Sequence, residues 1–197
     1  MNIHTDVPFR FESECFLWVV ENVYSSKECD RLISLIEASA PAIATNNPMF
    51  RDQDRVIRDD PEISADLFRR LRSHIPDRMG NFVLVGLNER LRMYRYRSGQ
   101  RFAPHMDHWY CPSDSQVTLH SVLVYLNADF EGGETRFTEQ LEHTVVPKTG
   151  MTAIFQHKLT HEGCTVRTGT KYAMRTDVIY ERLALFCHSR KIKIAAN

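Results

Sequence analysis

The spacing of apolar residues changes near residue 80. Before that point it is mostly helical. Ser25-Ser26-Lys27-Glu28 has the form of a capping box, with Ser25 as N-cap and Glu28 three residues on. Leu32, Leu35, Ile36 and Ser39 then mark one face of a helix that Pro41 stops. A second helix opens at Asp60-Pro61, where Asp60 caps and Pro61 takes the first helical position. Ile63, Leu67, Leu71 and Ile75 recur every four residues along it, and Pro76 ends it. Ahead of both, Phe9 to Val20 predicts a strand. Between them, Asn46 to Arg58 is polar and predicts a loop or mobile arm.

After residue 80 the apolar residues alternate. Strands are predicted at Arg90–Arg97, Phe102–Asp107, Val117–Leu126, Glu134–Thr138, His143–Pro147, Met151–Phe155, Leu159–Val166 and Lys171–Tyr180. Turn residues separate them, among them Ser98-Gly99, Glu131-Gly132-Gly133, Lys148-Thr149-Gly150 and Thr168-Gly169. Two helices cannot interleave this many strands as βαβ units, so a barrel or sandwich is expected, with helices on one outer face. The fold class is therefore mainly β with supporting helices (α+β). Residues 1–80 are expected to form a helical and extended support, 81–185 the β domain and 186–197 a tail.

Two histidines and a carboxylate give this frame a candidate chemistry. His105-Met106-Asp107 falls on a predicted strand, where residues i and i+2 share a face, so an imidazole and a carboxylate project together. His161, on another predicted strand, is a candidate third ligand. Two histidines and one carboxylate on one side of an ion leave the opposite positions open, which suits non-haem Fe(II). H-x-D alone is a common pattern and equally describes a surface pair. Lys171 opens the last strand, ten residues after His161, and offers a point charge for the far end of a chelating dicarboxylate; a solvated lysine at a turn fits the same spacing. Lys171, Ala173, Arg175, Asp177 and Ile179 share one face of that strand, either solvent or a polar site lining.

Composition removes several other classes. The 25 basic and 25 acidic residues give zero formal net charge, against a general nucleic-acid or membrane-surface binder. No apolar run is long enough to span a bilayer, and the N-terminus has no secretory pattern. Five cysteines, with no C-x-x-C pair, argue against a disulfide framework or zinc knuckle and for reduced thiols in the cytoplasm.

Four segments in order carry a resemblance. Leu91 to Asp107, with Tyr94, Tyr96 and His105-Met106-Asp107, resembles the entry to the iron site of the prolyl 4-hydroxylase-like 2-oxoglutarate/Fe(II) dioxygenases. Tyr125-Leu126-Asn127 and Gly132-Gly133-Glu134-Thr135-Arg136-Phe137 are similar to that family's central segment. His161-Glu162-Gly163 followed by Gly169-Thr170-Lys171 resembles its distal histidine and cosubstrate lysine. The resemblance covers roughly residues 90–181, about half the chain. It implies a double-stranded β-helix (jelly roll) of about eight core strands. It implies His105, Asp107 and His161 as iron ligands, Lys171 as partner of the distal 2-oxoglutarate carboxylate, and Tyr96 and Tyr125 as cosubstrate neighbours. It implies Fe(II), 2-oxoglutarate and O2, with ascorbate as reductant, and hydroxylation of a C–H bond, a prolyl residue being one candidate substrate. Retention of Asp107 favours hydroxylation over halogenation.

Other readings stay open at this point. They are the same chemistry on a free amino acid or small metabolite, a non-catalytic jelly-roll binding protein, and a cupin-like zinc or manganese protein. Arg175 is placed either to meet 2-oxoglutarate or a substrate carboxylate, or to pair with Asp177. Arg55 falls in the polar arm. His108 is expected to point away from the ligands and His120 to be structural; nothing singles out His143 or His157. Cys164 lies near the distal histidine. Pro104 marks the H-x-D strand as an edge.

Overall fold

The computed structural model describes residues 16–44, 47 and 49–183. Its elements, in chain order, are β1 (Leu17–Val20), α1 (Ser26–Ala38), β2 (Ala42–Ile43), β3 (Asp54–Asp59), α2 (Pro61–Leu71), β4 (Arg78–Met79), β5 (Phe82–Leu87) and β6 (Arg90–Arg97). There follow β7 (Phe102–His105), β8 (Gln116–Tyr125), β9 (Glu131–Gly132), β10 (Thr135–Phe137), β11 (His143–Val145), β12 (Thr152–Gln156), β13 (His161–Gly163), β14 (Val166–Thr168) and β15 (Thr170–Arg182).

The large sheet runs β1-β12-β8-β15-β6-β3-β2, with β5 also on β15 and β4 on β5. A smaller sheet runs β11-β10-β13-β7, and β14 pairs with β9. All the pairings are antiparallel. This is the jelly-roll architecture, with both helices on one face of the large sheet. β15 holds it together: one edge pairs with β8, while the other pairs first with β6 and then with β5.

Strand alternation sorts the two faces. Leu91 and Met93 of β6, Val122 and Val124 of β8, and Met174 and Val178 of β15 turn outward. There they pack with Cys29, Leu32 and Ile36 of α1 and Leu67 and Leu71 of α2. Tyr94 and Tyr96, Leu123, and Lys171, Ala173 and Arg175 turn inward and line a pocket. The face of β15 carrying Lys171 is thus a polar site lining.

Both helix starts follow the sequence. Ser25 and Glu28 close the capping box, the Glu28 N–H reaching Ser25 Oγ at 3.4 Å and the Ser25 N–H reaching Glu28 Oε2 at 2.8 Å. Asp60 Oδ1 accepts the Ile63 N–H at 3.1 Å, with Pro61 at N1. The first helix ends at Ala38, before Pro41, with Ser39 as C-cap.

Three expectations are corrected and one strand is added. Of the polar arm Asn46–Arg58, residues Arg51 to Arg58 do not form a loop throughout: Asp54–Asp59 is a strand on β6, its carboxylates paired with Arg90, Arg95 and Arg97 across the ladder. The second helix does not continue to Pro76 but tightens into a 3-10 turn over Arg72–His74. Leu159–Val166 is not one strand. The chain breaks after Gly163, and β13 and β14 join different sheets. Phe82–Leu87 forms a strand that the sequence reading did not propose. The predicted strand from Phe9 is present as Leu17–Val20; residues 9–15 and the tail 186–197 lie outside the described residues.

Candidate metal centre and cosubstrate pocket

Register brings the two distant histidines together. β13 lies between β10 and β7, and His161 pairs directly with His105 across the β7–β13 ladder, their ring centroids 4.3 Å apart. β7 is the sheet edge, so Pro104 is tolerated there, as expected. Past His105 the chain stays tethered, since the Asp107 N–H donates to the His157 carbonyl at 2.9 Å. This places Asp107 beside both histidines. Its Oδ1 is 3.8 Å from His105 Nε2 and its Oδ2 is 3.7 Å from His161 Nε2. The three residues offer ligand atoms that all lie within 4.8 Å of one another.

The donor chemistry fits a divalent cation. His105 Nδ1 bonds the Ala103 carbonyl at 2.8 Å and His161 Nδ1 the Leu159 carbonyl at 2.9 Å. With each Nδ1 proton used in this way, both Nε2 lone pairs face the common point. Burial, joined by the neighbouring His161, pushes His105 down to about 4, and burial also lowers His161. Both imidazoles are therefore neutral near pH 7, the form that binds metals. Burial alone would raise Asp107, but the charge of the Arg175 guanidinium outweighs it and holds the carboxyl below its usual range.

Asp107 is held on both oxygens. Arg175 Nη1 is 3.0 Å from Oδ1, and Ser121 Oγ donates to Oδ2. Arg175 Nε reaches Ser121 Oγ at 3.3 Å, and Nη2 reaches Asp177 Oδ1 at 2.8 Å. Arg92 Nη1 meets the other Asp177 oxygen at 2.9 Å. The guanidinium thus makes the pairing with Asp177 that the sequence left open, and it also grips Asp107.

Lys171 lines the same pocket. It is 3% exposed, and its Nζ donates to the Gly133 carbonyl at 2.7 Å. No carboxylate lies within ion-pair distance among the described residues. Burial pushes it down to about 8. Its Nζ sits 5.2 Å from the Tyr96 ring centre and 5.5 Å from that of Tyr125. Tyr125 Oη donates to Thr135 Oγ1 at 2.8 Å. The pocket is therefore lined by a cation with phenol rings around it, and by two imidazoles and a carboxylate.

The remaining expected positions separate clearly. His108 and His143 are exposed, and His120 is fully buried in β8, in keeping with a structural role. Arg55 is half-buried on β3, its Nη2 3.3 Å from the Ala44 carbonyl, and does not sit in a solvated loop. Cys164 is half-buried, with its thiol pushed up by burial. Sequence reasoning missed Ser121 and His157. Neither has a motif; only the folded register sets them against Asp107.

Comparison with known proteins agrees with this geometry. The sequence profile of the 2OG-Fe(II) oxygenase superfamily matches residues 91–176. An uncharacterised protein of fowlpox virus (strain NVSL) is 29% identical over 121 residues, 61% of this chain. The match spans 28% of that relative's length. Among solved structures, a viral collagen prolyl hydroxylase from Paramecium Bursaria Chlorella virus-1 aligns over 85% of this chain and 97% of its own, with TM-score 0.60 and 21% identity. A Trichoplax adhaerens prolyl hydroxylase in complex with a hypoxia inducible factor peptide aligns over 82% of both chains, with TM-score 0.64 and 16% identity. A Pseudomonas putida prolyl-4-hydroxylase aligns over 85% and 92%, with TM-score 0.64 and 16% identity. Residues 91–176 are thus similar to the 2OG-Fe(II) oxygenases, and the chain shares its fold with the prolyl hydroxylase structures.

Proposed function

We propose that this protein is an Fe(II)/2-oxoglutarate-dependent dioxygenase that hydroxylates a C–H bond. A prolyl residue is the substrate suggested by its structural neighbours. The observation that carries this reading is one pocket lined both by metal-binding atoms and by a buried ammonium with no carboxylate partner among the described residues. An unpaired buried cation is costly unless an anion joins it. That arrangement also weighs against a non-catalytic module.

In this reading His105 Nε2, His161 Nε2 and one Asp107 oxygen would hold the ferrous ion. Lys171 takes the distal carboxylate of 2-oxoglutarate as a point charge. Tyr96 and Tyr125 wall the cosubstrate and exclude water, and Tyr96 offers its hydroxyl as a donor, since burial raises its pKa. Arg175 contributes positive charge to the pocket wall and keeps Asp107 ionised and oriented. Bound iron, O2 and 2-oxoglutarate supply the oxidising chemistry, which yields succinate and CO2, with ascorbate keeping the metal reduced. Residues 81–185 would carry this activity, with 1–80 supporting the sheet and 186–197 as a tail.

Succinate formation from 2-oxoglutarate, with iron and ascorbate, tests the proposal. His105→Ala and Asp107→Ala are each expected to abolish it. Turnover retained in either variant refutes the ligand assignment.

A further inference from the structure

Three alternate residues at the entry to β3 are polar and lack the partners their burial calls for. Residues i and i+2 of an extended chain share a face, so Arg51, Gln53 and Arg55 lie on one side and Asp52 and Asp54 on the other. The first side is that of the cosubstrate pocket. Arg55 pairs in register with Tyr94, and the Arg51 guanidinium lies over the Phe102 ring, 4.3 Å from its centre. Tyr94 and Phe102 both line that pocket, so the two arginines flank it.

No acid neutralises these arginines among the described residues. The two aspartates next to them in the chain are engaged elsewhere: Asp52 Oδ1 accepts the Arg101 N–H at 2.7 Å, and Asp54 holds Arg95 and Arg97. Arg51 Nε and Nη2 are buried without a hydrogen bond, and Arg55 has only the Ala44 carbonyl, at 3.3 Å. Burial lowers the Arg55 pKa, and the charge of Arg51 lowers it further. Gln53, between them, is 0% exposed, and neither atom of its amide group is hydrogen-bonded. The Phe102 ring attracts the Arg51 charge but satisfies none of its N–H groups in the way an oxygen would. Two mutually repelling cations and an orphaned amide on one face are costly unless a ligand pairs them.

We infer that Arg51, Gln53 and Arg55 form a second anion site, distinct from Lys171, that takes a carboxylate. A guanidinium fork matches the two oxygens of a planar carboxylate, and the Gln53 amide nitrogen adds a donor. The Gln53 amide oxygen is then free to accept a remaining guanidinium N–H. An acidic side chain on a polypeptide and a free organic acid both carry this group. The inference goes beyond the dioxygenase reading and does not depend on it, because no metal ligand takes part.

The test is an NMR titration of the metal-free full chain at low salt. The probes are N-acetyl-glutamate N-methylamide, its glutamine counterpart, succinate and inorganic phosphate. At least one carboxylate is expected to bind about tenfold or more tightly than the neutral glutamine compound. Arg51→Met and Arg55→Met keep the hydrocarbon and remove the charge, and each is expected to weaken that binding about tenfold. Gln53→Met should weaken it several-fold. Arg51→Lys keeps the charge without the fork and should fall between wild type and Arg51→Met. Lys171→Met should leave it unchanged. Neither methionine variant at an arginine is expected to unfold at lower urea than wild type, since each removes an unpaired cation; a marked loss of stability in both would show the charges to be paired already and overturn the inference. Tighter binding of the blocked glutamate assigns the carboxylate to a polypeptide, and tighter binding of succinate to a free acid; either supports the site. Equal binding of the glutamine compound, or phosphate binding more tightly than both carboxylates, overturns the carboxylate assignment. Affinity unchanged in both arginine variants, or lost in Lys171→Met, overturns the site. Because no iron is present, failure here leaves the dioxygenase reading standing, and failure of succinate formation by the iron-loaded chain leaves this site standing.

Discussion

Arg175 Nη1 lies 3.0 Å from Asp107 Oδ1, so a largely buried guanidinium grips the carboxylate proposed to bind iron. The same guanidinium bonds Asp177, whose carboxyl is itself held well below its usual range, against burial, mainly by Arg175. Removing Arg175 leaves two buried carboxylates short of countercharge. Arg175→Met is therefore expected to lower stability by about 3–5 kcal/mol, measured by urea unfolding. In the fraction that folds, Asp107 loses its orientation, and affinity for Co(II) is expected to fall about 10–100-fold. Arg175→Lys keeps the charge and loses the fork, so it should fall between the two. Unchanged metal affinity in both variants would mean that Asp107 is held by Ser121 and the backbone alone.

Lys171 sets ligand binding against stability. Its folded pKa, about 8, is below the ordinary 10.5, so the unfolded chain holds the extra proton between those values. The cost of burying the charge is therefore full below pH 8 and fades as pH rises toward 10.5. Lys171→Met is expected to be more stable than wild type at pH 7 by about 2 kcal/mol, with the gap narrowing by pH 10. The same variant should bind 2-oxoglutarate at least about tenfold more weakly while still binding metal. Wild-type affinity for 2-oxoglutarate should also decline above pH 8. Calorimetry across pH 7–10 checks both signs, and an unchanged 2-oxoglutarate requirement would place the anchoring cation elsewhere.

How much of this could be read from the chain depended on whether a signal was local. The H-x-D spacing on an extended segment puts His105 and Asp107 on one face without help from the fold, and Ser25 and Asp60 announce their helices through their own side chains. The alternation in β15 separated Lys171 and Arg175 from Met174 and Val178, but only packing against α1 and α2 says which face is inside. Asp54-Arg55-Val56-Ile57-Arg58 reads as part of a loop or mobile arm because its carboxylate is satisfied by arginines on β6, far along the chain. Ser121 and His157 meet Asp107 through register alone, which no pattern in a single segment encodes.

Gly150 ties the approach to α1 onto the jelly roll. Its carbonyl accepts the N–H groups of Val23 at 2.9 Å and Tyr24 at 3.2 Å, and its own N–H reaches the Tyr125 carbonyl at 2.8 Å. Its φ is +75°, and an added Cβ would lie 1.9 Å from the Tyr24 carbonyl oxygen. Both backbone strain and collision with main chain oppose a side chain here. Gly150→Ala is expected to cost about 2–4 kcal/mol, read from the unfolding midpoint. Gly86, where an added methyl would meet nothing within 4 Å and φ is ordinary, serves as the control, and Gly86→Ala should change stability far less.

Asp54 tests whether β3 is a structural strand. Its Oδ2 accepts from Arg95 Nε at 3.0 Å and Nη2 at 2.8 Å, and lies 2.7 Å from Arg97 Nη1. Asp54 is 3% exposed, and the Arg95 side chain is 13% exposed. Arg95 also meets Glu37 of α1, at 2.6 Å, but that carboxylate is 42% exposed. The two acids hold one guanidinium in different surroundings, so their removal should differ. Asp54→Asn leaves a largely buried Arg95 short of charge and is expected to cost about 2–3 kcal/mol. Glu37→Gln is expected to cost less than about 1 kcal/mol, because water screens that pair. Urea unfolding at low and high salt separates them: the Glu37 effect should shrink with salt while the Asp54 effect persists. Because β6 also carries Tyr94 and Tyr96 on the pocket side, Asp54→Asn should weaken 2-oxoglutarate binding as well, whereas equal small costs for the two variants would mean that β3 contributes little to holding that strand in place.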